Sequence, residues 1–215
     1  MNKRSIPFRR YFLLEMNPVI RFLILSDVVW GSSIGLLGPI FALFIVDFID
    51  GGDAAVAGIA AAIYLVTKSL AQIPSATIID KIRGERDDFW ILFIFSILAA
   101  LTPLCYLLVH TPMQLYFIQF IYGIFIAFTF PSYMAIFTRH IDRNKEGTEW
   151  GIYFTLVDLG SAVTASIGGA IAILAGYQSL IYVVVLVSVI GVLMIYPIKS
   201  HLLFLEKSNI KKKKK

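Results

Sequence analysis

The sequence predicts an all-α membrane protein with six transmembrane helices and both ends in the cytoplasm. Three observations predict it. The 215 residues are 58% hydrophobic and only 15% charged, a balance that would leave a soluble domain covered in exposed apolar surface. Six apolar stretches have membrane-spanning length, and Lys and Arg are confined to alternate connections between them.

A helix crossing a hydrocarbon layer about 30 Å thick needs about 20 mostly apolar residues. In order, such stretches run from Val19 to Val46, Ala54 to Ile79, Phe89 to Val109, Met113 to Phe137, Ile152 to Leu174 and Ile181 to Ile198. Turn or charge signals separate them: Asp50-Gly51-Gly52-Asp53, Arg83-Gly84-Glu85-Arg86, His110-Thr111-Pro112, Asp142 to Gly147, and Gly176-Tyr177-Gln178. The chain therefore divides into a basic segment (1–18), a membrane bundle (19–198) and a Lys-rich tail (199–215).

Cationic short loops are retained on the cytoplasmic side. Lys3, Arg4, Arg9, Arg10 and Arg21 precede or begin the first stretch, and Lys81, Arg83 and Arg86 follow the second. Arg139, Arg143 and Lys145 follow the fourth, and Lys199, Lys207 and Lys211 to Lys215 follow the sixth. The opposite loops carry Asp47, Asp50, Asp53 and His110, with no Lys or Arg. Lys68 alone departs from the pattern, and it lies inside the second stretch.

The same distribution argues against nucleic acid as a partner despite a pI near 9.3, because the charge is spread over loops and tail instead of gathered on one face. The terminal Lys run is suited to anionic lipid headgroups or to a solvated tail. Cys105 stands alone, so no disulfide framework or cysteine metal site is available, and it reads as a packing residue. The first stretch is too long for the apolar core of a cleavable signal. No nucleotide loop, zinc-ligand spacing or nucleophile signature occurs, which makes an enzyme, a metal site or a cofactor a poor reading.

The loop after the second stretch reads Ala76-Thr77-Ile78-Ile79-Asp80-Lys81-Ile82-Arg83-Gly84-Glu85-Arg86. It resembles the loop signature of the major facilitator superfamily: a small residue, three positions, Asp, a basic residue, then Gly and further basic residues. Ala76 stands where glycine is usual, and Gly84 comes one place late. Gly35-Leu36-Leu37-Gly38-Pro39, Gln72-Ile73-Pro74, Gln119 to Gly123 with Pro131, and Lys145 to Gly151 leading to Gly160 and Gly168-Gly169 resemble the same family in the right order. Full members have about twelve helices in two similar halves, and this chain looks like one half. Gln119 occupies the place of an arginine in many proton-coupled members, and Thr164-Ala165 replace the Gly-Pro pair of the antiporter signature, so proton antiport is not implied.

Ionisable groups inside a span cost several kcal/mol unless they pair or face water, which singles out Asp27, Lys68 and Asp158. At 1.5 Å per residue, Asp27 lies about 12 Å and Asp158 roughly 10 to 15 Å above the cytoplasmic start of its helix, and Lys68 about 18 Å above Asp80. The three are expected to share one layer, either binding a charged group of a solute or forming a permanent ion pair. The resemblance places Lys68 and Asp158 near the junction between halves. Gln72, Gln119, Tyr64, Tyr122, Tyr133 and Trp30 are candidates for a central cavity, with ordinary packing as the alternative for each. Trp90 and Trp150 fit interfacial anchors.

Small residues permit close helix approach: Ala57, Gly58, Ala61 and Ala62, Gly147 and Gly151, and Gly160, Thr164, Gly168 and Gly169. They suit a seam between two copies or packing within one bundle. In the family, residues corresponding to Asp80, Lys81 and Arg86 contact helix ends and charges across the halves; with Ala76, Gly84, Arg139 and Asp142 they form the expected cytoplasmic gating loop.

The resemblance implies a half-size transporter of a small solute, working by alternating access as a parallel homodimer; the short loops and the absence of organelle-targeting features suit a prokaryotic inner membrane. A membrane scaffold or assembly factor without transport, and one half of a hetero-paired transporter, are the alternatives.

Overall fold

The computed structural model describes residues 16–82 and 84–202. The basic residues Lys3, Arg4, Arg9, Arg10, Arg83, Lys207 and Lys211 to Lys215 lie outside the described residues.

All regular structure among the described residues is helical. Asn17 starts α1 (Pro18–Leu37): its side-chain oxygen accepts from the Val19 N–H at 2.9 Å, and Pro18 supplies a preset φ in the first turn. At Gly38-Pro39 the proline lacks the N–H that would continue the ladder, and a tighter 3₁₀ turn (Gly38–Ile40) leads into α2 (Phe41–Phe48). Asp53 caps α3 (Ala54–Lys81) through the Val56 N–H at 2.7 Å. The acidic first turn of α4 (Glu85–Leu101), with Glu85, Asp87 and Asp88, faces the positive end of the helix dipole. Pro103 then tightens the chain into a 3₁₀ segment, Thr102–Leu108. Gln114 caps α5 (Pro112–His140) by accepting from the His110 and Thr111 N–H groups.

Among the described residues, five helical segments are long and apolar enough to cross a membrane: Pro18–Phe48, Ala54–Lys81, Glu85–Leu108, Pro112–His140 and Glu146–Leu202. The last spans 57 residues, about 85 Å if straight, far more than one crossing requires. It does not run straight. Within α6 (Glu146–Leu193), Gly176 adopts φ 81°, ψ 165°, a conformation that a side chain would strain. Before that break Ser161 donates to Gly31 O at 3.1 Å, and at it Tyr177 donates to Asp47 Oδ2 at 2.9 Å. After it the chain retraces α1 backwards: Ser188 bonds Ser33 at 2.6 Å, Ser26 donates to Gly191 O at 2.7 Å, and His201 lies 6.2 Å from the Phe22 ring. Both limbs of α6 thus grip α1.

Several helices extend beyond their apolar stretches. The charged turns 85–88 and 146–151 belong to α4 and α6, because acidic residues favour a helix start and do not interrupt it. At the end of the bundle carrying Met16 and Leu202, Ile20, Leu23, Phe89, Leu92, Ile136 and Phe137 form the buried core; Phe44, Ile45, Tyr106, Leu115 and Ile181 form it at the opposite end. By contrast α3 buries only Ala60, Thr67, Ser75 and Ile79. Leu70 is 73% and Ile73 75% exposed, while on the first limb of α6 Ile173 and Leu174 are each 85% exposed.

Small residues divide into two groups. A Cβ on Gly168 would sit 2.0 Å from Leu36 O, and one on Gly160 2.7 Å from Ser32 Oγ, so these positions, with Thr164 beside Gly35, seat α6 on α1. They are internal packing, not a seam between copies. Gly169 is 3.6 Å from Ile40 by the same measure. Gly147 and Gly151 pack against no helix within this bundle: nothing lies within 4 Å of a Cβ at either, nor at Gly58. Cys105 is also corrected, being exposed on the outside of the bundle; the 3₁₀ twist after Pro103 turns it outward while Tyr106 turns in.

Candidate functional site

A cavity of about 220 Å³ penetrates the bundle, bordered by α1, α3, the Thr102–Leu108 segment, α5 and the second limb of α6. Four sequence candidates line it: Trp30, Tyr64, Gln119 and Tyr122. Ile34, 52% exposed, and Ala61, also exposed, stand at its mouth between α1 and α3. Its floor is buried: Trp30, Ser33, Tyr106, Gln119 and Ser188 are each under 9% exposed.

Local structure explains these positions. Gly123 lets α5 approach α3 so closely that a Cβ there would meet Tyr64 O at 2.9 Å. That approach stacks Tyr64 on Tyr122, ring centroids 5.3 Å apart with 25° between planes. Ser75 secures the same pair of helices by donating to Ala127 O at 2.5 Å. Deeper in, Gln119 Nε2 donates to Tyr106 Oη at 3.3 Å, and the Tyr106 ring lies 5.1 Å from that of Phe41. Tyr106, Ser33 and Ser188 escape sequence reasoning: each looks like routine composition of an apolar helix. The Pro103 twist that turns Tyr106 inward is the only sequence signal for it.

The expected acid-base-acid layer does not form. Asp27 Oδ2 accepts from Tyr153 Oη at 2.6 Å, Lys68 Nζ lies 5.4 Å from the centroid of the Phe130 ring, and Asp158 is exposed on the first limb of α6. No salt bridge joins Lys68 to either acid among the described residues. Helix rotation decides partners, and α3 turns Lys68 onto α5. Gln72 is half-buried and does not line the cavity; Tyr133 is buried against Phe137 and Tyr153.

At the end bearing the cationic connections, Arg139 bonds the carboxylate of Asp88, whose side chain is fully buried. Asp142 pairs with Lys145 at 2.8 Å, and its N–H donates to Glu149 Oε2 at 3.4 Å. His140 Nε2 stands 3.8 Å from Glu85, and Asn17 donates to His140 O at 3.3 Å. The starts of α1, α4 and α6 are thereby held to the end of α5. Asp80, Lys81 and Arg86 are exposed there, Gly84 caps α4, and Ala76 is half-buried. Asp88 and Glu149 were missed because they read as loop charges; Glu149 precedes Tyr153 by one helical turn, which marks it as inward-facing. Trp90 stacks under Lys199 at 4.7 Å, and Trp150 lies 4.4 Å from Phe137, so both pack locally at that end.

Comparison with curated proteins gives no match. The family signature described as Major Facilitator Superfamily matches residues 22–214, nearly the whole chain. That match, the five long apolar helices and the loop residues from Ala76 to Arg86 agree: the chain is an integral membrane protein belonging to the Major Facilitator Superfamily, a family of membrane transporters.

Proposed function

We propose that the chain is a half-size facilitator transporter of a small solute. It crosses the membrane six times, with the reversal at Gly176 separating the last two crossings and both termini on the cytoplasmic side. It pairs in parallel with a second six-helix bundle, in the first instance another copy of itself, and alternating access moves solute past the cavity. The observation that carries this reading is the cavity itself, with its exposed mouth and buried polar floor.

Two further features support pairing. Asp158 is exposed 12 residues into α6, about 18 Å along the helix, and a charge facing lipid at such depth is costly. A second bundle or a water-filled path between bundles removes that cost. Gly58, Gly147 and Gly151 present open backbone to an approaching helix. Cationic connections and short loops suit a prokaryotic inner membrane.

Native mass spectrometry of the protein released from nanodiscs tests the pairing. A specific species of twice the 24.1 kDa chain mass is the expected result. A monomer under every gentle condition overturns the homodimer. Co-purification with a different membrane protein and no solute flux in proteoliposomes favours the hetero-paired half or the scaffold.

A further inference from the structure

Charge separates what this cavity accepts from what it refuses. No Asp, Glu, Lys, Arg or His lines it among the described residues: Asp27 bonds Tyr153, Lys68 lies over Phe130, and Asp158 is exposed on α6. A charged solute entering it would surrender its hydration with no counter-charge in return. Its walls are apolar, with aromatic faces supplied by the stacked Tyr64 and Tyr122 and by Phe41 against Tyr106. Its few polar groups are neutral. Gln119, 5% exposed, spends one N–H on Tyr106 Oη, leaving its carbonyl oxygen and second N–H without a partner among the described residues. Ser33 and Ser188 are already bonded to each other.

We propose that the cavity binds a neutral, single-ring solute carrying one carboxamide or similar donor-acceptor group; the inference rests on reading this cavity as the solute site. The ring offers a flat face to the tyrosine pair. The carboxamide answers Gln119 reciprocally, each group donating one N–H and accepting one, and that is the contact a charged isostere cannot reproduce. Size agrees: a cavity of about 150 Å³ holds benzene, so about 220 Å³ admits a ring with a substituent, on the order of ten non-hydrogen atoms.

The test uses the full chain in nanodiscs, with benzamide as the probe and benzoate and benzylammonium as charged isosteres. Binding is read by calorimetry and ligand-observed NMR against empty nanodiscs. Saturable benzamide binding is the expected result, with both charged isosteres at least tenfold weaker. Gln119→Leu weakens benzamide at least tenfold. Ala61→Trp, a change at an exposed mouth position that leaves the core untouched, blocks it while the melting temperature stays within a few degrees. Equal binding of either charged isostere, benzamide binding indifferent to both variants, or no saturable benzamide binding overturns the proposal. Benzamide binding without protein-dependent flux from loaded proteoliposomes leaves this site standing and removes transport. Flux of a charged solute with no benzamide binding removes the site and leaves transport.

Discussion

Tyr153 donates a 2.6 Å hydrogen bond to Asp27 Oδ2, tying the first limb of α6 to α1 across 126 positions of sequence. It gives an acid inside a membrane helix a specific partner. Tyr153→Phe removes the donor and is predicted to cost about 1–3 kcal/mol, the penalty of leaving a half-buried carboxylate without its donor. Asp27→Asn keeps an acceptor and loses less. Unfolding titrations in mixed micelles measure both, and equal stability of Tyr153→Phe and the parent sinks the prediction.

Arg139→Met strands the buried carboxylate of Asp88. Leaving that carboxylate without its partner costs about 1–3 kcal/mol, less than for a fully buried pair because Arg139 is itself exposed, whereas replacing both members with apolar residues is close to neutral. The double variant Asp88→Leu/Arg139→Met therefore recovers most of the loss. A double variant no more stable than the single one would show that the pair does more than neutralise itself.

Gly168→Ala drives a methyl group against Leu36 O, while Gly151→Ala meets nothing within 4 Å. The first is predicted to lose about 1–3 kcal/mol by overpacking, and the second to leave the melting temperature of the single bundle unchanged. If Gly151→Ala weakens dimerisation without altering the melt, the open glycine belongs to the pairing face. Matching melts for the two variants would count against the packing described.

The reversal and the connection before α6 should face opposite compartments. In a Cys105→Ser background, Gln178→Cys is predicted to react with a membrane-impermeant maleimide on intact cells, and Arg143→Cys only after permeabilisation; both positions are exposed. Labelling of both from the same side would refute the proposed topology.

Much of this architecture was legible because bilayer thickness acts directly on residue composition. Apolar stretches marked the helices, and Gly176-Tyr177-Gln178 marked the reversal. Aromatic candidates such as Tyr64 and Tyr122 were legible as residues able to line a cavity, and they do line one. Helix rotation was not legible. Two groups at one depth can point 180° apart, which is why Lys68 rests on Phe130 while Asp27 bonds Tyr153. Nor does a charged turn announce which of its members is buried: Asp87 and Asp88 are adjacent, yet only Asp88 turns inward to Arg139.

The double grip of α6 on α1 has a consequence for biogenesis. α1 is completed only by α6, so it must wait in the bilayer while more than a hundred intervening residues are synthesised. During that interval Ser26, Asp27 and Ser33 lack the partners that α6 will supply. At about 5–20 residues per second, the wait lasts roughly six seconds or more. Until α6 arrives, that polar stripe stands in the bilayer without those partners, at the cost of polar groups left unpaired in an apolar medium.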